Sequence, residues 1–203
     1  MRLFILGATG GIGGQLVEQA LSRNHDVTAF VRSPQKIART QERLTVVAGD
    51  PLNRDQLGQA LPGHDAVLSA LGPRVAGAAT VHRDFARSVI PAMENARVRR
   101  LLVVSTAFLF SDAWLPSLFG RLFFKEVVKD TGAMERIITA SSLEWTIVRP
   151  PRLTDGPRTE HYRIQDGHLP PRGMAISRAD VAHFMLDEVQ TSMHLRKVVG
   201  ISR

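Results

Sequence analysis

Leu3-Phe4-Ile5-Leu6-Gly7-Ala8-Thr9-Gly10-Gly11-Ile12-Gly13 is the stretch whose reading decides the fold. The apolar run Leu3–Leu6 has the length of a buried strand, and Gln15–Ser22 behind it carries Leu16, Val17, Ala20 and Leu21 at helical spacing. Between them the glycines have separate tasks. Gly7 permits a tight turn out of the strand, Gly10 lets a ligand approach the backbone, and Gly13 lets the helix lie close to the sheet. A helix that starts here presents free N–H groups and a partial positive charge, which suits a phosphate. The loop from Gly7 to Gly13, with Gly11 inside it, therefore predicts a dinucleotide pyrophosphate site.

Working outward, short β-rich runs alternate with helical stretches. Strands are predicted at Asp26–Val31, Leu44–Val47, Ala66–Ala70, Leu101–Val104 and Trp145–Val148. Helices are predicted over 54–60, 81–96 and 131–140, with a last one from Arg178, where Ser177 caps and Asp180 stands in the first turn. This alternation implies an α/β fold of Rossmann type: a doubly wound parallel sheet with helices on both faces. Ligands of such sheets sit beyond the carboxyl ends of the strands, where the strand order reverses. Residues just after each strand are the ones to inspect.

The bulk composition narrows the function. A chain of 203 residues with 44% hydrophobic composition is enough for one NAD(P)-binding domain over 1–203, and too short for a large separate substrate domain. Substrate-binding elements are expected within it at 106–130 and 150–175. With no cysteine, disulfides, thiolate metal sites and a cysteine nucleophile are excluded. The histidines show no HExxH or other ligand spacing, so no metal is assigned. No apolar run approaches the roughly 20 residues that cross a bilayer, and MRLFILGA reads as a strand rather than a leader, so a cytoplasmic protein without membrane partners is expected. The formal charge of +7 raises nucleic acid as a partner. The basic residues are scattered, however, with the tightest group at Arg97, Arg99 and Arg100, and no basic tail or aromatic–basic interleaving supports that partner.

The second strand selects the dinucleotide. An NAD-specific unit carries an acidic residue there for the ribose hydroxyls. This chain has Val31-Arg32-Ser33-Pro34 instead. Arg32 can form charge-assisted bonds to a 2′-phosphate and Ser33 can add a hydroxyl, so the expected cofactor is NADP. Gly49-Asp50-Pro51 follows the third strand, where Asp50 can cap the helix that begins near Asn53; the resemblance described below implies instead a contact with the adenine. Ala70-Leu71-Gly72-Pro73-Arg74 follows the fourth, where Gly72 permits close approach and Arg74 can meet a phosphate or an acidic group.

The GxxGxxG spacing resembles the short-chain dehydrogenase/reductase superfamily, and GATGGIG its atypical members. Alcohol-oxidising members use Tyr-x-x-x-Lys, in which the lysine lowers the tyrosine pKa for proton exchange. The one tyrosine here is Tyr162; Asp166 stands four places on, and both follow the sixth strand. Lys129 is near the right region without a tyrosine before it. An acceptor that takes hydride into a conjugated system needs no tethered acid, and the protein's work is then to stack it on the nicotinamide.

A narrower resemblance runs along nearly the whole chain. GATGGIGG, VTAFVRSPQKI, VVAGDPLN, DAVLSALGPR, STAFLF, RPPRLTDGP and HYRIQDGHLPPRGMAISRADVAHFML are similar to the NADPH-dependent flavin reductase/biliverdin-IXβ reductase family. The resemblance implies that Gly7, Thr9, Gly10, Ile12, Arg32, Ser33, Asp50, Leu71, Gly72 and Arg74 touch the cofactor, with Gly11, Gly13 and Pro51 beside them. It implies that Pro150, Pro151, Arg152 and Leu153 line the nicotinamide end. The family's functional serine falls on Thr106, with Ser105 next to it, and either hydroxyl can orient the nicotinamide amide or the acceptor, or cap a turn. Two family histidines are absent; their places fall at Arg152 and near Thr131, and an arginine at the first favours a phosphorylated or carboxylated acceptor such as FMN.

Between Phe108 and Val128, Leu115, Leu118, Phe119, Leu122 and Phe123 share a helical face, read as core or dimer packing, or as a lid with Trp114 over a flat acceptor. The expected activity is NADPH-dependent hydride transfer to FMN, riboflavin, a tetrapyrrole or a quinone, by a monomer or homodimer. Two alternatives stand beside it: an NmrA-like, non-catalytic NADP redox sensor, and an atypical isomerase or dehydratase.

Overall fold

In chain order the strands and helices are β1 (Arg2–Leu6), α1 (Gly11–Ser22), β2 (Asp26–Val31), β3 (Leu44–Ala48), α2 (Arg54–Ala60), β4 (Ala66–Ser69), α3 (Val81–Ala96) and β5 (Arg100–Val104). They continue with α4 (Lys125–Thr139), β6 (Glu144–Arg149), β7 (Arg152–Thr154), β8 (Arg163–Asp166), β9 (Ala175–Ser177), α5 (Arg178–Thr191) and β10 (Lys197–Ser202). This computed structural model describes residues 1–37, 41–72, 80–110 and 125–203. Pro73, Arg74, Trp114 and the apolar face from Leu115 to Phe123 lie outside the described residues.

The main sheet has eight strands in the order β3-β2-β1-β4-β5-β6-β10-β8. All pair in parallel except β8, which runs antiparallel to β10 at the edge. β1 occupies the centre because Leu3, Phe4, Ile5 and Leu6 are fully buried, one set of side chains toward each face. Strands covered on both faces read as unbroken apolar runs, as β1 and β4 do. On one face α1 and α5 pack together, burying Leu16 and Ala20 against a core that holds Val181, Met185 and Val189. The other face is covered by α2, α3 and α4, with Leu57, Phe85, Met93, Met134 and Ile138 inside. The order reverses between β1 and β4, and the ligand crevice opens at their carboxyl ends.

Four strands go beyond the sequence expectation. β10 extends the sheet, β8 closes its edge, and β7 pairs with β9 in a separate two-stranded ribbon. Within β10, Gly200 interrupts an apolar run because a Cβ there would stand 1.9 Å from the His168 carbonyl oxygen. The helix expected from Thr131 is already formed at Lys125. The capping reading of α5 matches the structure: Asp180 N donates to Ser177 Oγ at 2.9 Å.

Candidate dinucleotide site

The loop after β1 is built by close backbone approach. Gly7 has φ +80°, and a Cβ on it would meet the Ala70 carbonyl oxygen at 2.5 Å. Gly10 N donates to Gly7 O at 2.8 Å, and a Cβ on Gly13 would stand 2.0 Å from that same oxygen. At the start of α1, the N-cap Gly10 offers no side-chain acceptor and no acidic residue stands in the first turn. The first N–H groups of the helix are left for an anion, with the helix dipole behind them.

A cavity of about 600 Å³ lies over this loop. At one end its wall holds Phe30, Val31, Arg32, Lys36 and Pro51; in the middle Gly7, Thr9, Gly10, Gly11, Ile12, Leu71 and Gly72; at the other Ser105, Thr106 and Leu153. Arg32 and Lys36 are exposed, and Arg178 adds a third cation from the start of α5. No carboxylate lines the wall among the described residues. The shape and charge fit a dinucleotide, whose phosphates would meet the first turn of α1.

Other predicted residues stand behind or beside the wall. Gly13 packs under the loop. Ser33 precedes the 3-10 turn Pro34–Lys36, its carbonyl accepting from Lys36 N. Asp50 accepts from Leu52 N at 3.0 Å, while Asn53 is the residue that caps α2, accepting from Asp55 N and Gln56 N. Pro150 is buried and Pro151 half-buried, and Arg152 is exposed on β7 and outside the cavity wall.

Both candidate hydroxyls reach the wall, each with a structural partner. Ser105 Oγ donates to Glu135, whose carboxylate also accepts from Arg149 Nε at 2.9 Å. Thr106 Oγ1 accepts from Phe108 N at 3.3 Å, capping a 3-10 turn. Arg149 in turn lies over the Phe110 ring, 4.6 Å from its centroid. Tyr162 is not in the wall. Its hydroxyl is hydrogen-bonded to His183 Nδ1 at 2.8 Å, and burial, with the nearby Asp187 and Asp180 charges, pushes its pKa well up. That is opposite to what an acid-exchanging tyrosine needs.

Sequence reading missed Lys36, His82 and Arg178 as wall residues, while the resemblance pointed near Thr131, which is in the wall. Lys36 lies four residues after Arg32 and was legible as a second cation. The others arrive from helices that only the sheet topology brings to the β1/β4 crevice.

Residues 7–192 match the NAD(P)H-binding family. The chain belongs to this family. It is 28% identical to the uncharacterized protein YwnB of Bacillus subtilis, with 96% of this chain and 94% of that protein covered. Among solved structures it resembles a Rossmann-fold NAD(P)-binding family protein from Shigella flexneri, 28% identical, TM-score 0.79, covering 100% of this chain and 93% of that one. It also resembles a Streptococcus pneumoniae protein described as an NADH-flavin reductase, 25% identical, TM-score 0.81, covering 100% of this chain and 99% of that one. An NAD(P)H-binding, oxidoreductase-like Rossmann chain is thus established by family and fold together.

Proposed function

We propose that the chain is an NADPH-dependent reductase that passes hydride to a flavin or a similar conjugated acceptor. One observation carries the reading: a continuous cavity runs from Arg32 and Lys36 past the α1 N-terminus to Ser105, Thr106 and Leu153, without a tyrosine in its described wall. The likeness to a protein described as an NADH-flavin reductase supports the acceptor class. The choice of NADPH rests on this chain's own cations at the end of β2.

When bound, NADPH supplies the hydride. The residues of the chain bind and orient. Arg32 takes the 2′-phosphate, and the N–H groups of α1 with Arg178 take the pyrophosphate. Gly72 leaves room beside the backbone: among the described residues, a Cβ there would meet nothing within 4 Å. Leu153 offers an apolar face to the nicotinamide, with Pro150 and Pro151 behind it. Thr106, whose oxygen accepts from Phe108 N, keeps its hydroxyl hydrogen free for a carbonyl group of the occupant. Ser105 donates to Glu135, so its oxygen is left to accept, for instance from the nicotinamide amide.

Comparing NADPH and NADH oxidation with FMN in the wild type and Arg32→Ala tests the reading. A charge-assisted bond of about 1.5–3 kcal/mol predicts a ten- to hundredfold preference for NADPH that disappears in the variant. Equal losses for both dinucleotides would remove Arg32 from the 2′-phosphate. Tight NADPH binding without turnover of any acceptor would favour a redox sensor.

A further inference from the structure

The far end of the cavity holds a histidine whose ring is fixed from behind the wall. His82, in the first turn of α3, is 6% exposed and lines the cavity with Val127, Thr131, Ser105 and Thr106. Its Nδ1 lies 3.1 Å from Oδ2 of Asp130 on α4, itself 4% exposed. The same carboxylate accepts from the backbone N–H of His82 at 2.8 Å and of Arg83 at 3.1 Å. Asp130 therefore caps α3 from the neighbouring helix, while the local N-cap, Thr80, makes no side-chain cap bond.

A cap needs only the carboxylate and the backbone. The imidazole is not required for it, so its burial at this wall calls for another reason. The carboxylate is an acceptor, which places one ring hydrogen on Nδ1 and leaves Nε2 for an occupant of the cavity; in the imidazolium, whose charge Asp130 balances, Nε2 carries the second proton. The neighbouring hydroxyls are poor sources of a proton: Ser105 donates to Glu135, and Thr106, whose hydrogen can form a hydrogen bond to the occupant, is an alkyl hydroxyl and not an acid. Among the described wall residues, imidazole is the side chain that can both take up and give up a proton at one ring nitrogen.

We propose that His82, oriented by Asp130, delivers the proton to an oxygen of a carbonyl-type conjugated acceptor, a quinone, as it is reduced in this cavity. The inference rests on the reductase reading above and names the acceptor class for it. A quinone that gains two electrons and a hydrogen from the reduced dinucleotide is left with one anionic oxygen. The proton of His82 Nε2 forms the O–H bond, the N–H electron pair stays on nitrogen, and the neutral ring recovers a proton from solvent. The product is the hydroquinone. A flavin differs because its reduced ring persists as an anion at neutral pH and does not require that proton.

The test compares a water-soluble quinone with FMN, using NADPH, in the wild type, His82→Gln and His82→Ala. Positioned acid catalysis predicts that the quinone kcat falls about a hundredfold more than the FMN kcat in both variants. Added imidazole restores quinone turnover to His82→Ala. A readout independent of turnover is the ¹⁵N spectrum of the imidazoles. Hydroquinone binding shifts one Nε2 resonance, that resonance is missing in His82→Gln, and Asp130→Asn alters its tautomer. Wild-type turnover of both acceptors with equal losses in the variants, and no Nε2 shift, overturns the role of His82 and leaves the reductase intact. A wild type that oxidises NADPH with neither acceptor overturns both.

Discussion

The side chain of Arg178 lies across Gly11: a Cβ at residue 11 would stand 2.4 Å from Arg178 Cδ and 2.8 Å from its Nε. Asp155 holds the guanidinium from the other side at 2.6 Å. A residue from the last helix thus places a cation at the start of the first. Pyrophosphate is common to both dinucleotides, so Arg178→Ala weakens NADPH and NADH by the same factor, about tenfold given the partial exposure of the side chain. Calorimetric Kd values check this. A loss confined to NADPH would move Arg178 to the 2′-phosphate.

Gly13 and Gly72 separate packing from binding. A Cβ at Gly13 meets backbone that cannot turn aside, at 2.0 Å from Gly7 O and 2.5 Å from Gly7 C. Gly13→Ala forces α1 away from the loop and destabilises the chain by about 1–3 kcal/mol, read as a lowered Tm. Gly72→Ala meets no described atom within 4 Å and keeps the wild-type Tm, but it fills part of the cavity and weakens NADPH.

Asp180 ties the segment before β8 to α5. Burial alone would raise its carboxyl, but hydrogen bonds from Thr159 N at 2.7 Å, Glu160 N at 2.9 Å, Ser177 and Thr159 Oγ1 hold it below the usual carboxylate range. A depressed folded-state pKa contributes stability above the unfolded value of about 3.9 and loses it as pH falls through the folded value. Asp180→Asn is therefore destabilised at neutral pH by about 2 kcal/mol, and its deficit shrinks below pH of about 4. Urea unfolding of both proteins at pH 7 and in acid measures the difference. A deficit that is constant with pH would assign the loss to packing instead.

Much of the fold was legible because its signals are local. The strand–glycine–helix unit at Leu3–Ser22, the buried runs of β4 and β5, and the Ser177 cap each declare themselves within a few residues. β10 did not, because Gly200 reads as a breaker until the His168 carbonyl that excludes a side chain is known. β7 and β9 are three residues each, too short for periodicity. The same division holds at the site. Arg32, Leu71 and Gly72 follow strands and were found by that rule, and Ser105 and Thr106 by the family resemblance, whereas His82 and Arg178 belong to helix starts on opposite faces of the sheet. Nothing in their neighbouring residues points to one cavity. Arg152 shows the reverse limit: its place in a motif suggested the acceptor end, yet the backbone of β7 leaves it exposed outside the wall.

The most direct measurement of the central claim is a single-turnover experiment without oxygen, mixing the protein with NADPH and one equivalent of FMN and following both absorbances. Flavin absorbance is expected to bleach in step with loss of the nicotinamide band, far faster than in buffer alone. Nicotinamide bound to the protein while both absorbances stay constant would contradict it, and would leave a dinucleotide-binding chain whose function is not reduction.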